Sequence, residues 1–312
     1  MSKFSEVYCR MCEKGDAARD KGLVTPDDVV RYDNISYGED AVWNLLDVYR
    51  PKQIRDPADV SGTQMVSAEG KKLPVIVSVH GGGWVYGSKE VYQFYCMSLA
   101  ERGFAVVNFS YRLAPAAKFP APLEDTNRVF GWIMAHADEY GFDTDNMFAV
   151  GDSAGGNDLG LYACFLTNPK YAEKFSFSAP EGLKLRGVAL NCGCYEIVID
   201  GAKEHEMNTA LMRDYLPEGG VREELDAINV KKHVTSAFPP AFVMTCTGDF
   251  LENQAEPLVR VLKKNGVKCH FGYYGDNEHS LGHVFHCNMK SDFARECNDD
   301  ECAFFRGLMS TD

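Results

Sequence analysis

The chain has 312 residues, 45% of them hydrophobic and 25% charged, the composition of a globular protein with a large core and neither a disordered nor a fibrous one. Its 32 Lys and Arg stand against 45 Asp and Glu, and the net charge of −13 repels phosphate backbones and anionic lipid, so nucleic acid and membrane surfaces are excluded as expected partners. No segment approaches the ~20 apolar residues of a membrane span, and the opening stretch MSKFSEVYCRMCEKGDAARDKG is charged throughout, which predicts a cytoplasmic chain without a secretory leader.

In chain order, the first clear element is LPVIVSVH, residues 73–80, a buried-strand pattern that runs into three glycines. A helix is expected over about 91–102, closed by Gly103, and then a strand FAVVNFSY over 104–111. Residues 123–140 read as a helix with Val129, Phe130, Ile133 and Met134 on one face, stopped at Gly141. A short strand at 147–151 precedes a helix over 157–166, and 185–191 and 241–246 are further strands. A helix over 256–264, a strand over 269–274 and a helix over 297–308 complete the series. Strands alternating with helices of this length predict βαβ units and a mostly parallel sheet covered on both faces. Two regions break the rhythm: about 1–35 and about 195–237 are polar and helix-prone. Such insertions sit over the C-terminal edge of a parallel sheet, where ligands bind, and are read as a cap on a single domain spanning 1–312.

The strongest chemical signal is Gly151-Asp152-Ser153-Ala154-Gly155-Gly156, directly after a strand and directly before a helix. This is a G-x-S-x-G nucleophile elbow in the context it requires, a tight turn that pushes a serine hydroxyl out of the sheet. The second is His80-Gly81-Gly82-Gly83-Trp84 at the end of the 73–80 strand. Three glycines let the backbone turn its N–H groups toward a substrate, and with the amide of Ala154 these can hold an oxyanion. Serine needs a base and an orienting carboxylate. Asp249 follows the strand AFVMTC and lies at its catalytic edge, whereas Glu252 suits a helix start. After the strand HFGYY, three histidines compete: His283 is favoured over His279, with His286 third. His270 lies inside a strand, and His80 is expected to brace the glycine loop rather than titrate. Trp84 and Tyr86 suit a pocket wall or the core equally, as do Tyr195, Met207, Leu211, Met212 and Tyr215. Glu124 and Asp125 are read as helix-start acids. The 11 cysteines are expected to be reduced, and the Cys9/Cys12 and Cys192/Cys194 pairs to be structural, with no metal site.

At these residues the sequence resembles the hormone-sensitive-lipase-like branch of the α/β-hydrolases, marked by the HGGG at 80–83 and the GDSAGG at 151–156. Ser110-Tyr111-Arg112-Leu113-Ala114-Pro115, Phe119-Pro120-Ala121 and Phe238-Pro239-Pro240 match it as well, in the family order. The resemblance implies an α/β-hydrolase fold with a helical cap, and a triad of Ser153, Asp249 and His283. It assigns the oxyanion amides to Gly82, Gly83 and Ala154 and requires no cofactor. The family's usual acid-to-base spacing lands on His279, but the His-x-Phe context is at His283, and a few extra loop residues cost little. The expected activity is hydrolysis of short-chain, acetyl-type esters of small soluble substrates through an acyl-enzyme. An arylformamidase-like amidase and a non-catalytic small-molecule-binding relative are the alternatives. The expected partner is a small-molecule ester, and self-association into a homo-oligomer is left open.

Overall fold

The structure, a computed structural model, describes residues 1–56, 64–202, 206–276 and 278–310. Its strands are β1 (Val29–Ser36), β2 (Leu45–Pro51), β3 (Gln53–Arg55), β4 (Met65–Ser67), β5 (Leu73–Val79), β6 (Ala105–Phe109), β7 (Phe142–Asp152), β8 (Gly187–Asn191), β9 (Ala241–Cys246) and β10 (Cys269–Tyr274). The helices are α1 (Lys3–Asp20), α2 (Lys89–Glu101), α3 (Ala121–Ala135), α4 (Ala137–Tyr140), α5 (Ser153–Thr167), α6 (Pro169–Ala172), α7 (Glu206–Tyr215), α8 (Arg222–Ala227), α9 (Val230–His233), α10 (Glu252–Lys264) and α11 (Asp292–Arg306). Eight strands make one sheet in the order β1-β2-β6-β5-β7-β8-β9-β10, and β3 and β4 form a separate ribbon. From β6 to β10 all neighbours are parallel, and only β2 runs against the rest, antiparallel to β1 on one side and to β6 on the other. This is the α/β-hydrolase architecture.

The central strands are apolar on both faces because both faces are covered. Along β5, Val75, Val77 and Val79 join the core under α3, α5 and α10, while Ile76 joins the core under α2 and α11. Strand β7 runs straight into α5, so the residue at their junction stands at the C-terminal edge of the sheet.

Several boundaries differ from the sequence reading. The helix expected over 123–140 is broken into α3 and α4 at His136, whose Nδ1 is bonded to the Trp132 carbonyl at 2.8 Å. Helices α5, α10 and α11 begin earlier than expected. Strands β1–β4 were not foreseen, and residues 29–35, read as part of a helical cap, form the edge strand of the sheet. Their apolar signal is weak, because β1 is largely solvent-facing and β2 carries buried Asp47 and Arg50. The Lys89 ammonium meets Asp47 at 3.0 Å, and Arg50 donates to the carbonyls of Gly141 and Lys71. Asp125 is more than a helix-start acid. It is fully buried and accepts from the guanidinium groups of Arg112 and Arg128 at 2.9 and 2.6 Å.

Helices α1 and α7 pack together over the C-terminal edge of the sheet, with the Ser2 amide donating to the Asp214 carboxylate at 2.9 Å. Residues 203–205 of the expected 195–237 insertion lie outside the described residues. No helix among the described residues is long and apolar enough to cross a membrane. All eleven cysteines are unpaired.

Candidate active site

Ser153 is the first residue of α5 and has φ +52°, a left-handed conformation that a non-glycine residue adopts only where its surroundings impose it. Gly155 shows what imposes it. A Cβ there would run into the carbonyl oxygens of Val79 and His80, so the turn closes against the end of β5 only with glycine at that position.

Asp249 lies just past β9 and His283 in the loop after β10, and both reach Ser153. His283 Nε2 is 2.9 Å from Ser153 Oγ, and its Nδ1 is 2.7 Å from Asp249 Oδ1. A carboxylate only accepts, so Nδ1 donates to Asp249 and Nε2 is left to accept from the serine hydroxyl. Asp249 is fixed in turn by the Thr245 hydroxyl, which donates to Oδ2 at 2.9 Å, and by the Leu251 amide, which donates to Oδ1 at 2.9 Å. Burial pushes this carboxyl up. The hydrogen bond and charge of His283, with the Leu251 amide, outweigh that and hold it below the usual carboxylate value.

The competing histidines are elsewhere. His279 is exposed and pairs with Asp276 at 2.8 Å. His286 is fully buried, and burial pushes its pKa down to about 3. His270 stacks on Phe242 in the sheet. His80 braces the glycine loop as expected. Its Nδ1 is 2.8 Å from the Gly81 carbonyl, its ring stacks on Tyr111 at 4.0 Å, and burial pushes it down to about 4, so it stays neutral.

The glycine loop has φ +120° at Gly82, +60° at Gly83 and +63° at Trp84. A Cβ on Gly82 would strike the Tyr86 carbonyl, and the amides of Val85 and Tyr86 fold back onto the Gly82 carbonyl. Ala154 lies in the first turn of α5, where amides have no acceptor inside the helix. The loop and the elbow are joined by residues that the sequence did not single out. Gly81 N donates to the Tyr92 hydroxyl at 3.0 Å, which donates to Asp152 Oδ2 at 2.6 Å. Burial pushes Asp152 up to about 7. Asp158, one turn beyond the elbow, accepts at Oδ1 from Trp84 Nε1 at 3.1 Å and from the Tyr215 hydroxyl at 3.0 Å, and burial pushes it to about 7 as well. The only forewarning of either residue is a carboxylate inside an otherwise apolar or glycine-rich helix start.

Cys192, read as strand filler, brings its sulfur into a cluster with Asp249 and His283 whose ligand atoms lie within 4.8 Å of one another. Such a donor set has metal-binding character, yet here the imidazole and the carboxylate are already bonded to each other.

Two spaces open on Ser153. One is a cavity of about 520 Å³ lined by His283, Asp152, Gly82, Tyr86 and residues of α1. The other is a slot of about 30 Å³ between Gly83, Trp84, Ala154 and the α7 residues Met207, Leu211 and Met212. Of the aromatic and apolar candidates, Trp84, Tyr86, Met207, Leu211 and Met212 are wall residues, while Tyr195 and Tyr215 are buried core. Trp84 also stacks on Tyr215 at 4.6 Å.

Residues 76–283 match the family described as the α/β hydrolase fold. The chain belongs to this family. Its HGGG and GDSAGG segments mark the hormone-sensitive-lipase-like branch. The chain is 30% identical over 223 residues to the probable carboxylic ester hydrolase LipM of Mycobacterium tuberculosis, covering 70% of this chain and 48% of that protein. It is 41% identical over 85 residues, 27% of the chain, to the versiconal hemiacetal acetate esterase of Dothistroma septosporum. The chain thus spans about half, or less, of the length of these relatives. Among solved structures, esterase B from Lactobacillus rhamnosis inhibited by a tributyrin phosphonate superposes with a TM-score of 0.84 at 26% identity, covering 97% of this chain and 94% of that one.

Proposed function

We propose that the protein is a serine carboxylester hydrolase that cleaves short-chain, acetyl-type esters of small soluble substrates. The observation that carries this reading is the continuous chain of hydrogen bonds from Ser153 Oγ through His283 to Asp249 at a strained elbow. In the mechanism that follows, His283 Nε2 takes the Ser153 proton as Oγ attacks the ester carbonyl, and Asp249 stabilises the imidazolium. The amides of Gly82, Gly83 and Ala154 hold the oxyanion. One such donor is typically worth ~10²–10³ in rate, about 3–4 kcal/mol. His283 then returns the proton to the departing alcohol, and the same imidazole activates water against the acyl-enzyme.

The proton return orients the substrate. The leaving alcohol must lie on the His283 side, in the larger cavity, and the acyl chain is left the narrow slot under α7. A slot of that size suits an acetyl methyl and crowds longer chains, in keeping with one relative being named an acetate esterase. Helices α1 and α7 act in this reading as the cap, with α8 and α9 behind them. The eleven unpaired thiols favour a reducing, cytoplasmic setting.

The test is hydrolysis of p-nitrophenyl esters from acetate to decanoate, with Ser153→Ala alongside. Turnover that falls with chain length and vanishes in the variant supports the proposal. A folded protein inert on every chain length refutes it and moves the weight to a formamide substrate.

A further inference from the structure

The two spaces beside Ser153 differ in chemistry as much as in size. The slot is walled by methionine, leucine and tryptophan. The larger cavity is walled on one side by Asp16 and Arg19 of α1 with Tyr86, and on the other by Ser280, Asn288 and Ser291 of the loop before α11. Arg19 is fixed, with Nη1 on Asp16 at 2.8 Å, Nη2 on Asp20 at 2.6 Å and a further hydrogen bond to the Val91 carbonyl. The second oxygen of Asp16 accepts from the Tyr86 hydroxyl at 2.9 Å. Burial raises the Asp16 carboxyl above its usual value, against the opposing charge of Arg19.

We infer that the leaving group of the substrate is a neutral, hydroxyl-rich alcohol such as a sugar or polyol, and that Asp16 and Arg19 are its specificity-determining residues. The inference rests on the esterase reading, which puts the leaving alcohol in this cavity, and it goes beyond that reading in naming the alcohol.

The charge pattern decides the class. An anionic alcohol meets Asp16 and the buried Asp152 in the cavity lining. A cationic one finds Asp16 already paired with the permanent charge of Arg19 on the same wall, which leaves it little attraction to replace its lost water. An alkyl alcohol would leave the carboxylate and guanidinium facing hydrocarbon, with water removed and nothing returned. A neutral hydroxyl both donates and accepts, and it alone suits a wall that alternates an acceptor with a donor. Opposite, two serines and an asparagine offer groups of the same double capacity. Discrimination of this kind is strong where a polar site is built for hydroxyls, because the wrong ligand strands the site's own polar groups.

The experiment compares kcat/KM for three acetates of unactivated alcohols, methyl glucoside monoacetate, hexyl acetate and acetylcholine, with p-nitrophenyl acetate as reference. The expected result is a preference of about tenfold or more for the glucoside over hexyl acetate and acetylcholine. Asp16→Asn should shrink that preference mainly through KM, and Tyr86→Phe, which frees the Asp16 oxygen while keeping the ring, should change it without abolishing the fold. Equal or better turnover of hexyl acetate or acetylcholine overturns the proposal and leaves the esterase reading standing. So does a glucoside preference that neither variant alters. Loss of turnover on p-nitrophenyl acetate itself overturns both.

Discussion

The slot and the cavity flank one serine, yet they are roofed by helices of opposite character. Helix α7 presents Met207, Leu211 and Met212 to the slot, while α1 presents Asp16 and Arg19 to the cavity. The two helices also pack on each other, with the Ser2 amide bonded to Asp214. The core beneath them is shared, so what separates an acyl chain from an alcohol is carried by a few side chains on two short roof segments. Selectivity on either side should therefore change independently, while anything done at the serine they share should remove both.

The largest effect is expected at that shared point. His283→Ala should lower kcat by roughly 10⁴-fold or more for every ester, because the base and the proton donor are lost together. His279→Ala should stay within about twofold, since its ring is exposed, bonded to Asp276 and packed on Phe293, away from Ser153. Steady-state rates of the two variants measure this directly, and a severe loss in His279→Ala would reverse the assignment of the base. Next comes Gly82→Ala. The new Cβ meets the Tyr86 carbonyl and the φ of +120° becomes strained, so the loop must move. A loss of ~10²–10³ in kcat with little change in KM is expected, the amount typical of a missing oxyanion donor. The third is confined to one side. Leu211→Ala widens the slot alone, and it should raise butyrate or hexanoate relative to acetate by about tenfold, at one to three kcal/mol per accommodated group, without altering the choice of alcohol. A parallel rise for all chain lengths would separate α7 from acyl recognition.

Much of this was legible in the chain. The buried strands β5, β6, β8 and β9 read as continuous apolar runs because both their faces are covered, and the elbow and glycine loop each depend on glycines whose absence the backbone would not tolerate. Strands β1 and β2 were illegible for the complementary reason. The edge strand β1 carries exposed polar residues, and its neighbour β2 buries Asp47 and Arg50 against partners that are distant in sequence. His283 was separable from His279 by local context, but counting along the chain lands on His279, which pairs with Asp276 while His283 is the one bonded to Ser153, because the loop before His283 is longer by a few residues that change nothing in the sheet. The buried acids Asp152, Asp158 and Glu301 left almost no trace. A carboxylate in sequence reads as surface, and only the fold supplies Tyr92, Tyr95, Trp84, Tyr215 and Asn191 as their donors.

Asp158 offers the smallest but most specific test, because it lies beneath the slot and ties Trp84 to Tyr215 of α7. Burial outweighs its two donors and moves its carboxyl from 3.8 to about 7. A raised acid keeps its proton in the folded state over the window where the unfolded chain has already released it. Its contribution to stability is therefore greatest below about pH 4, falls as pH rises and is fully lost above about pH 7. Asp158→Asn keeps an acceptor for both donors and cannot ionise. The variant should gain on the wild type between pH 5 and pH 8 by on the order of 2 kcal/mol, read as the difference between two denaturation series. Asp152 and Glu301, also raised to about 7, give the wild type and the variant the same background slope, so the difference isolates Asp158. Series that stay parallel would mean that the Asp158 proton does not titrate in this range. Asp158→Leu separates charge from architecture. It strands the Trp84 N–H and the Tyr215 hydroxyl at every pH, so it should be less stable than Asp158→Asn by a pH-independent amount, about 1–3 kcal/mol for each stranded group, and loosen the slot whose wall Trp84 forms.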